Sequence, residues 1–104
     1  MILKNRDIYE INIALNKIGK VDISAQLAFK LFKIKKKIED EVALIQKSLE
    51  GKEDDNNQIE EVFDMENEID INKIRASELE ELKLSMEDVF LLDDIIDFEE
   101  EEVE

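Results

Sequence analysis

The chain predicts a mainly α fold: a helical hairpin or small bundle around one long helix at about residues 24–50, with a small two-stranded β ribbon pairing about residues 2–4 with 68–73. Three observations carry this expectation. Apolar residues recur at steps of three and four through the longest part of the chain. No proline interrupts any element, and the only two glycines, Gly19 and Gly51, stand alone where helix ends are wanted.

Taken in order, Ile2-Leu3-Lys4 is a short extended segment, and Asn5 is placed to cap a first helix running to about Ile18. Asp7 and Glu10 favour the positive end of that helix dipole, and Gly19 supplies a left-handed stop. Ile8, Ile11, Leu15 and Ile18 form one stripe, while Tyr9 and Ile13 form a second pair on another side, so the helix is expected between two neighbours. Ser24 or Asp22 caps the long helix, and Gly51 ends it. Within it Leu27, Leu31, Ile34, Ile38, Val42, Ile45 and Leu49 keep to one seam, as in a coiled coil. That seam suits a helix of the same chain or of a second copy.

Residues 51–58 are polar throughout and read as a mobile loop. A short helix through Ile59, Val62 and Phe63 follows, then a strand near Glu68 to Lys73. Ser77 with Glu80 and Ser85 with Asp88 are capping signatures that predict two short successive helices. The last of these, about Met86 to Phe98, sets Leu91, Leu92, Ile95, Ile96 and Phe98 against Asp93, Asp94 and Asp97, and its apolar face is expected on the long helix. Phe90 falls on the acidic side of this wheel, where it is either covered by a neighbour or exposed as an aromatic anchor. Residues 1–98 thus read as a single helical domain and residues 99–104 as a solvated acidic tail.

Charge divides the chain. Residues 1–38 hold nine basic and three acidic side chains, net +6, and residues 39–104 hold five basic and 26 acidic, net −21. The overall charge of −15 sits beside 43% hydrophobic residues, more than a wholly disordered chain carries. On the long helix, Phe29 and Phe32 stand beside Lys30, Lys33, Lys35, Lys36 and Lys37, a basic stripe with aromatics of the kind that contacts nucleic acid. Packing favours a structural use of the same residues: the phenylalanines meet Tyr9 and Ile13, and the lysines pair with the acidic half.

Most catalytic chemistry lacks its residues. The chain has no His and no Cys, which removes ordinary zinc sites, thiolate catalysis and histidine-activated serines. Asp54-Asp55-Asn56-Asn57 lacks the glycine and ligand spacing of a calcium loop. Asp64, Glu68, Asp70 and Lys73 match no nuclease pattern, no glycine-rich phosphate loop exists, and one Tyr with no Trp is poor material for a sugar cleft. No enzyme activity, metal or cofactor is expected. No apolar run approaches the ~20 residues that span a bilayer, and the N-terminus is too short for a signal peptide, so a cytoplasmic location without a membrane partner is expected.

The segments Leu3-Lys4-Asn5-Arg6-Asp7-Ile8-Tyr9, Ile23-Ser24-Ala25-Gln26-Leu27-Ala28-Phe29-Lys30 and Glu68-Ile69-Asp70-Ile71-Asn72-Lys73-Ile74 occur in an order that resembles a family of short uncharacterised phage and prophage proteins. The resemblance covers most of the chain. It departs at Ile23-Ser24, where many relatives have a proline-containing entry to the long helix, and in a shorter, more acidic middle loop. It implies phage origin, a bacterial host cytoplasm, and a compact helical fold with a small strand pair, and it assigns no functional residue.

Two functions follow as expectations. The first is an acidic inhibitor or nucleic-acid mimic that occupies a basic groove on a host nucleic-acid-binding or CRISPR-type defence protein, with Phe90, Asp93, Asp94, Asp97, Glu99, Glu100, Glu101 and Glu102 as the contact residues. The second is a virion-assembly or structural accessory that pairs by helix packing with a phage protein or, along the long-helix seam, with a second copy. Either way the partner is a protein, and direct nucleic-acid binding is not expected.

Overall fold

The first helix is the hub. A computed structural model describes residues 1–98, in the order β1 (Ile2–Lys4), α1 (Asn5–Ile18), α2 (Ala25–Ser48), α3 (Asn56–Asp64), β2 (Glu66–Glu68), β3 (Ile74–Arg75), a 3-10 turn (Ala76–Leu79), α4 (Met86–Leu91), a second 3-10 turn (Asp93–Ile95) and β4 (Ile96–Asp97). Helices α2, α3 and α4 all pack on α1. Its stripe Ile8, Ile11, Ala14, Leu15 and Ile18 is buried accordingly, with Ile8 and Ile11 sealed from solvent. The residues expected in the tail, Glu99, Glu100, Glu101 and Glu102 among them, lie outside the described residues.

Helix α2 follows its prediction closely. The Ser24 side chain accepts from the Leu27 amide at 3.3 Å, and Gly51 takes a positive φ of 79° just past the C-terminus. Its seam is used inside the chain: Leu27, Leu31, Ile34, Ile38 and Ile45 are buried in the common core. Of the two occupants the seam suits, the chain itself covers most of it, with Val42 and Leu49 partly buried. Gly19 departs from expectation, closing α1 with right-handed φ −62°, so it acts there without using its left-handed freedom.

Two small strand pairs tie the ends together. β1 pairs antiparallel with β2 in the register Ile2 to Glu68 and Lys4 to Glu66, so the expected ribbon exists but its second strand precedes the predicted 68–73 segment. The reason is burial. Beyond Glu68, Ile69 and Ile71 drop into the core, and only Ile69 remains on the ladder, donating its amide to the Met1 carbonyl at 2.8 Å. The second pair, β3 with β4, is parallel and was not expected.

Asn5 corrects another expectation. It is the first residue of α1, its side chain buried, not a cap exposed at the helix start. Its Nδ2 donates to the Val62 carbonyl at 2.6 Å, its Oδ1 accepts from Asn67, and its amide donates to the Met65 carbonyl at 2.9 Å. One polar side chain thus joins α1 to the end of α3 and to β2. Buried polar groups keep such partners because leaving them unpaired is costly.

The predicted loop is shorter than 51–58, since α3 begins at Asn56 with the Asp55 carboxylate accepting from the Gln58 amide at 3.1 Å. Ser77 caps no α-helix. The segment forms a 3-10 turn entered at Arg75, whose amide donates to Glu78 Oε1 at 3.0 Å. The last helix stops at Leu91 instead of reaching Phe98. Asp93, Asp94 and Asp97 would crowd the negative end of a longer helix, whereas Ile95 and Ile96 are β-branched and find both core and a strand partner. That helix also rests chiefly on α1, not on α2.

Two substitutions test the hub. Ile11→Ala should lower the folding free energy by about 2–5 kcal/mol, read as a fall in the urea midpoint. Asn5→Ala removes two side-chain hydrogen bonds, one fully buried, and should cost about 1–3 kcal/mol. An unchanged midpoint for Asn5→Ala would remove its role as a tie.

Candidate functional site

The acidic edge is built by one cap and one inward carboxylate. Ser85 Oγ accepts from the Asp88 amide at 3.0 Å and starts α4. Asp88 then turns inward and accepts from Lys17 Nζ at 3.0 Å, which holds α4 on the C-terminal half of α1. With position 88 facing in, positions 86 and 90 face out, one turn apart on the same side. Met86 is 88% exposed and Phe90 82% exposed. Phe90 is therefore the exposed alternative of the two open at the sequence level.

Leu92, Ile95 and Ile96 anchor the segment after α4, with Asp93 and Asp94 exposed between them and Asp97 exposed just beyond. Of the expected contact residues, the structure brings Phe90, Asp93, Asp94 and Asp97 onto this one short segment. It does not form the regular helical ladder of carboxylates that a continuous helix 86–98 would have given. Met86, which sequence reasoning passed over, joins them; its i, i+4 relation to Phe90 was the available signal.

Electrostatics separate the carboxylates of the edge. The Lys17 hydrogen bond, with help from Ser85, holds Asp88 below the ordinary carboxylate range. Asp94 moves the other way: partial desolvation, then the negative charges of Asp7 and Asp93, push its carboxyl up, opposed by Lys73. The acidic edge thus carries self-repulsion that a cation from outside would relieve.

A second surface lies on the outer side of α2. Phe29 is 67% exposed and Phe32 55% exposed, contrary to the expected packing on Tyr9 and Ile13. The cause is α3, whose Phe63 takes the Tyr9 ring in an edge-to-face contact at 5.1 Å, while Ile13 stays exposed. Phe32 borders a groove of about 540 Å³ over Ile34, Ile71 and Ile74, rimmed by Lys30, Lys33, Lys36, Lys37 and Lys73. The expected pairing of lysines with the acidic half is met by Lys30, which bridges Glu78; Lys37 donates instead to the backbone carbonyl of Asp70. Lys35 pairs within its own helix with Glu39, and Lys33 lies 5.7 Å from the Phe29 ring centre. Among the described residues, Lys33, Lys36 and Lys73 bridge no carboxylate.

Of the residues weighed for nuclease chemistry, Asp64 pairs with Arg6 at 2.7 Å and Glu68 with the terminal ammonium at 3.4 Å. No group of three carboxylates among the described residues is placed to hold a metal ion, and no described helix is long and apolar enough to cross a membrane. Comparison with protein-family models, with curated proteins and with solved structures returns no match.

Opposite shifts give an opposite pH response. The lowered value of Asp88 contributes stability above the ordinary Asp range that is lost as pH falls through the folded-state value; the raised value of Asp94 is a penalty at neutral pH, relieved as pH falls through its folded-state value. Asp88→Asn should therefore lower the thermal midpoint at neutral pH and Asp94→Asn should raise it. The Asp94→Asn difference should shrink as pH falls toward the ordinary carboxylate range, about 4, and the Asp88→Asn difference only at pH below that range. Thermal scans across pH check this, and a lower midpoint for Asp94→Asn at neutral pH would contradict it.

Proposed function

We propose that this chain is a non-enzymatic, phage-encoded binding protein whose acidic edge occupies a basic groove on a host nucleic-acid-binding or defence protein. One observation supports the reading above the others: Met86 and Phe90 stand almost fully exposed on the segment that continues into the exposed Asp93, Asp94 and Asp97. Large apolar side chains left in water on a segment that also carries exposed charges are the usual make-up of an interface anchor. The carboxylates draw a basic partner and set its orientation, Phe90 and Met86 supply the apolar contact, and the net charge of −15 speeds encounter. The edge acts as a charged patch with an aromatic centre, since the continuous helical ladder of phosphate-like spacing is not formed. An assembly role is the second reading, favoured by the exposed Phe29 and Phe32 on α2, a helix face that suits packing against another protein.

Affinity capture from a bacterial host lysate tests the first reading. The chain should retain basic nucleic-acid-binding proteins in low salt and release them at about 1 M salt, where the screening length falls to roughly 3 Å. The variant Phe90→Ala/Asp93→Lys/Asp94→Lys should retain none of them. Equal capture by the variant, or recovery of phage structural proteins alone, would sink the proposal.

A further inference from the structure

The groove on α2 and the edge on α4 are opposites in charge and alike in apolar content. The groove has an aliphatic floor of Ile34 and Ile71, an exposed aromatic wall in Phe32, and Lys33, Lys36 and Lys73 on its rim. Its occupant has to bring carboxylates and apolar side chains together. A strand of nucleic acid meets only the first demand: Phe32 could take one base, but the isoleucine floor gives no further aromatic platform inside the groove. A segment with an exposed aromatic, an exposed methionine and flanking aspartates meets both, and this chain carries one in Met86, Phe90 and Asp93.

We infer that the chain self-associates by seating the α4 edge of one copy in the α2 groove of another, with Phe90 and Met86 against Phe32 and the isoleucine floor, and Asp93 and Asp94 beside Lys33 and Lys36. The positive charge of Lys73 on the groove rim already opposes the negative charges around Asp94 of the edge within one chain. A two-fold pairing then lets each copy supply an edge and a groove at once, the self-complementary arrangement of a closed dimer. Unlike a pairing of copies along the long-helix seam, this contact leaves Leu27, Leu31, Ile34, Ile38 and Ile45 in the core of their own chain. It rests on the reading of the acidic edge as a docking surface. It adds a consequence: a basic partner and a second copy compete for Phe90.

Sedimentation velocity on the full chain, over a range of concentrations in low and high salt, tests the inference, with circular dichroism checking that each variant folds. The wild type should exceed monomer mass in low salt and return to it in high salt. The groove variant Lys33→Glu/Lys36→Glu and the edge variant Phe90→Ala/Asp93→Lys should each stay monomeric at concentrations where the wild type does not. Mixed together they should form a one-to-one complex, because the groove variant keeps an intact edge and the edge variant an intact groove. A wild type that remains monomeric throughout overturns the inference, as does a mixture that forms no complex. So does a wild type that is monomeric alone yet binds a single-stranded oligonucleotide through Lys33 and Lys36. Capture of basic host proteins through Phe90 by a chain that never self-associates would overturn this inference and leave the proposed function standing.

Discussion

The structure depends on covering α1 on several sides at once. Ile8 and Ile11 are sealed because α2 closes one flank of the helix while α3 and α4 close others. Full burial of a large aliphatic side chain contributes about 1.5–3 kcal/mol, so neighbours that cover this helix are strongly favoured over arrangements that leave it open. Three polar side chains of α1 fix where they sit. Asn5 receives the end of α3, Arg6 pairs with Glu60 and Asp64 on the same helix, and Lys17 receives Asp88 of α4.

Surface properties follow from that arrangement. Because Phe63 of α3 takes Tyr9, the phenylalanines of α2 have no ring partner among the described residues and face outward. Because Asp88 points at Lys17, Met86 and Phe90 point away. Both exposed aromatic patches are thus by-products of how α1 is buried, and each carries the charge of its own stretch of sequence, basic on α2 and acidic on α4. The internal ion pairs consume part of this charge, as Lys30 with Glu78 does, and leave Lys33, Lys36 and Lys73 at the groove without a carboxylate among the described residues.

The legible part of the fold was local. Ser24 and Gly51 bound α2 much as their chemistry predicts, Ser85 caps α4, and the stripe from Ile8 to Ile18 is the buried one. The misreadings share one cause: a residue with two uses was given the wrong one. Asn5 had the composition of a cap and became a buried tie. Ile69 and Ile71 had strand alternation but faced the core, and Ile95 and Ile96 fitted a helical wheel yet joined a turn and a strand. In the candidate site, Phe90 and the three aspartates were named from their type and spacing, whereas Met86 and the groove floor were not, since Ile71 and Lys73 lie far in sequence from Phe32.

By itself the sequence determined the helix periods, the caps, the division of charge after residue 38, and the exclusion of histidine and cysteine chemistry. These properties reside in neighbouring residues or in composition. Only the tertiary structure decided which aromatics are covered. Phe29, Phe32, Phe63 and Phe90 are equally hydrophobic as residues, and Phe63 alone of the four gains a ring partner, because α1 has room for α3 on its Tyr9 side. Burial is a competition among distant segments for one helix surface, and its losers form the surfaces proposed to bind.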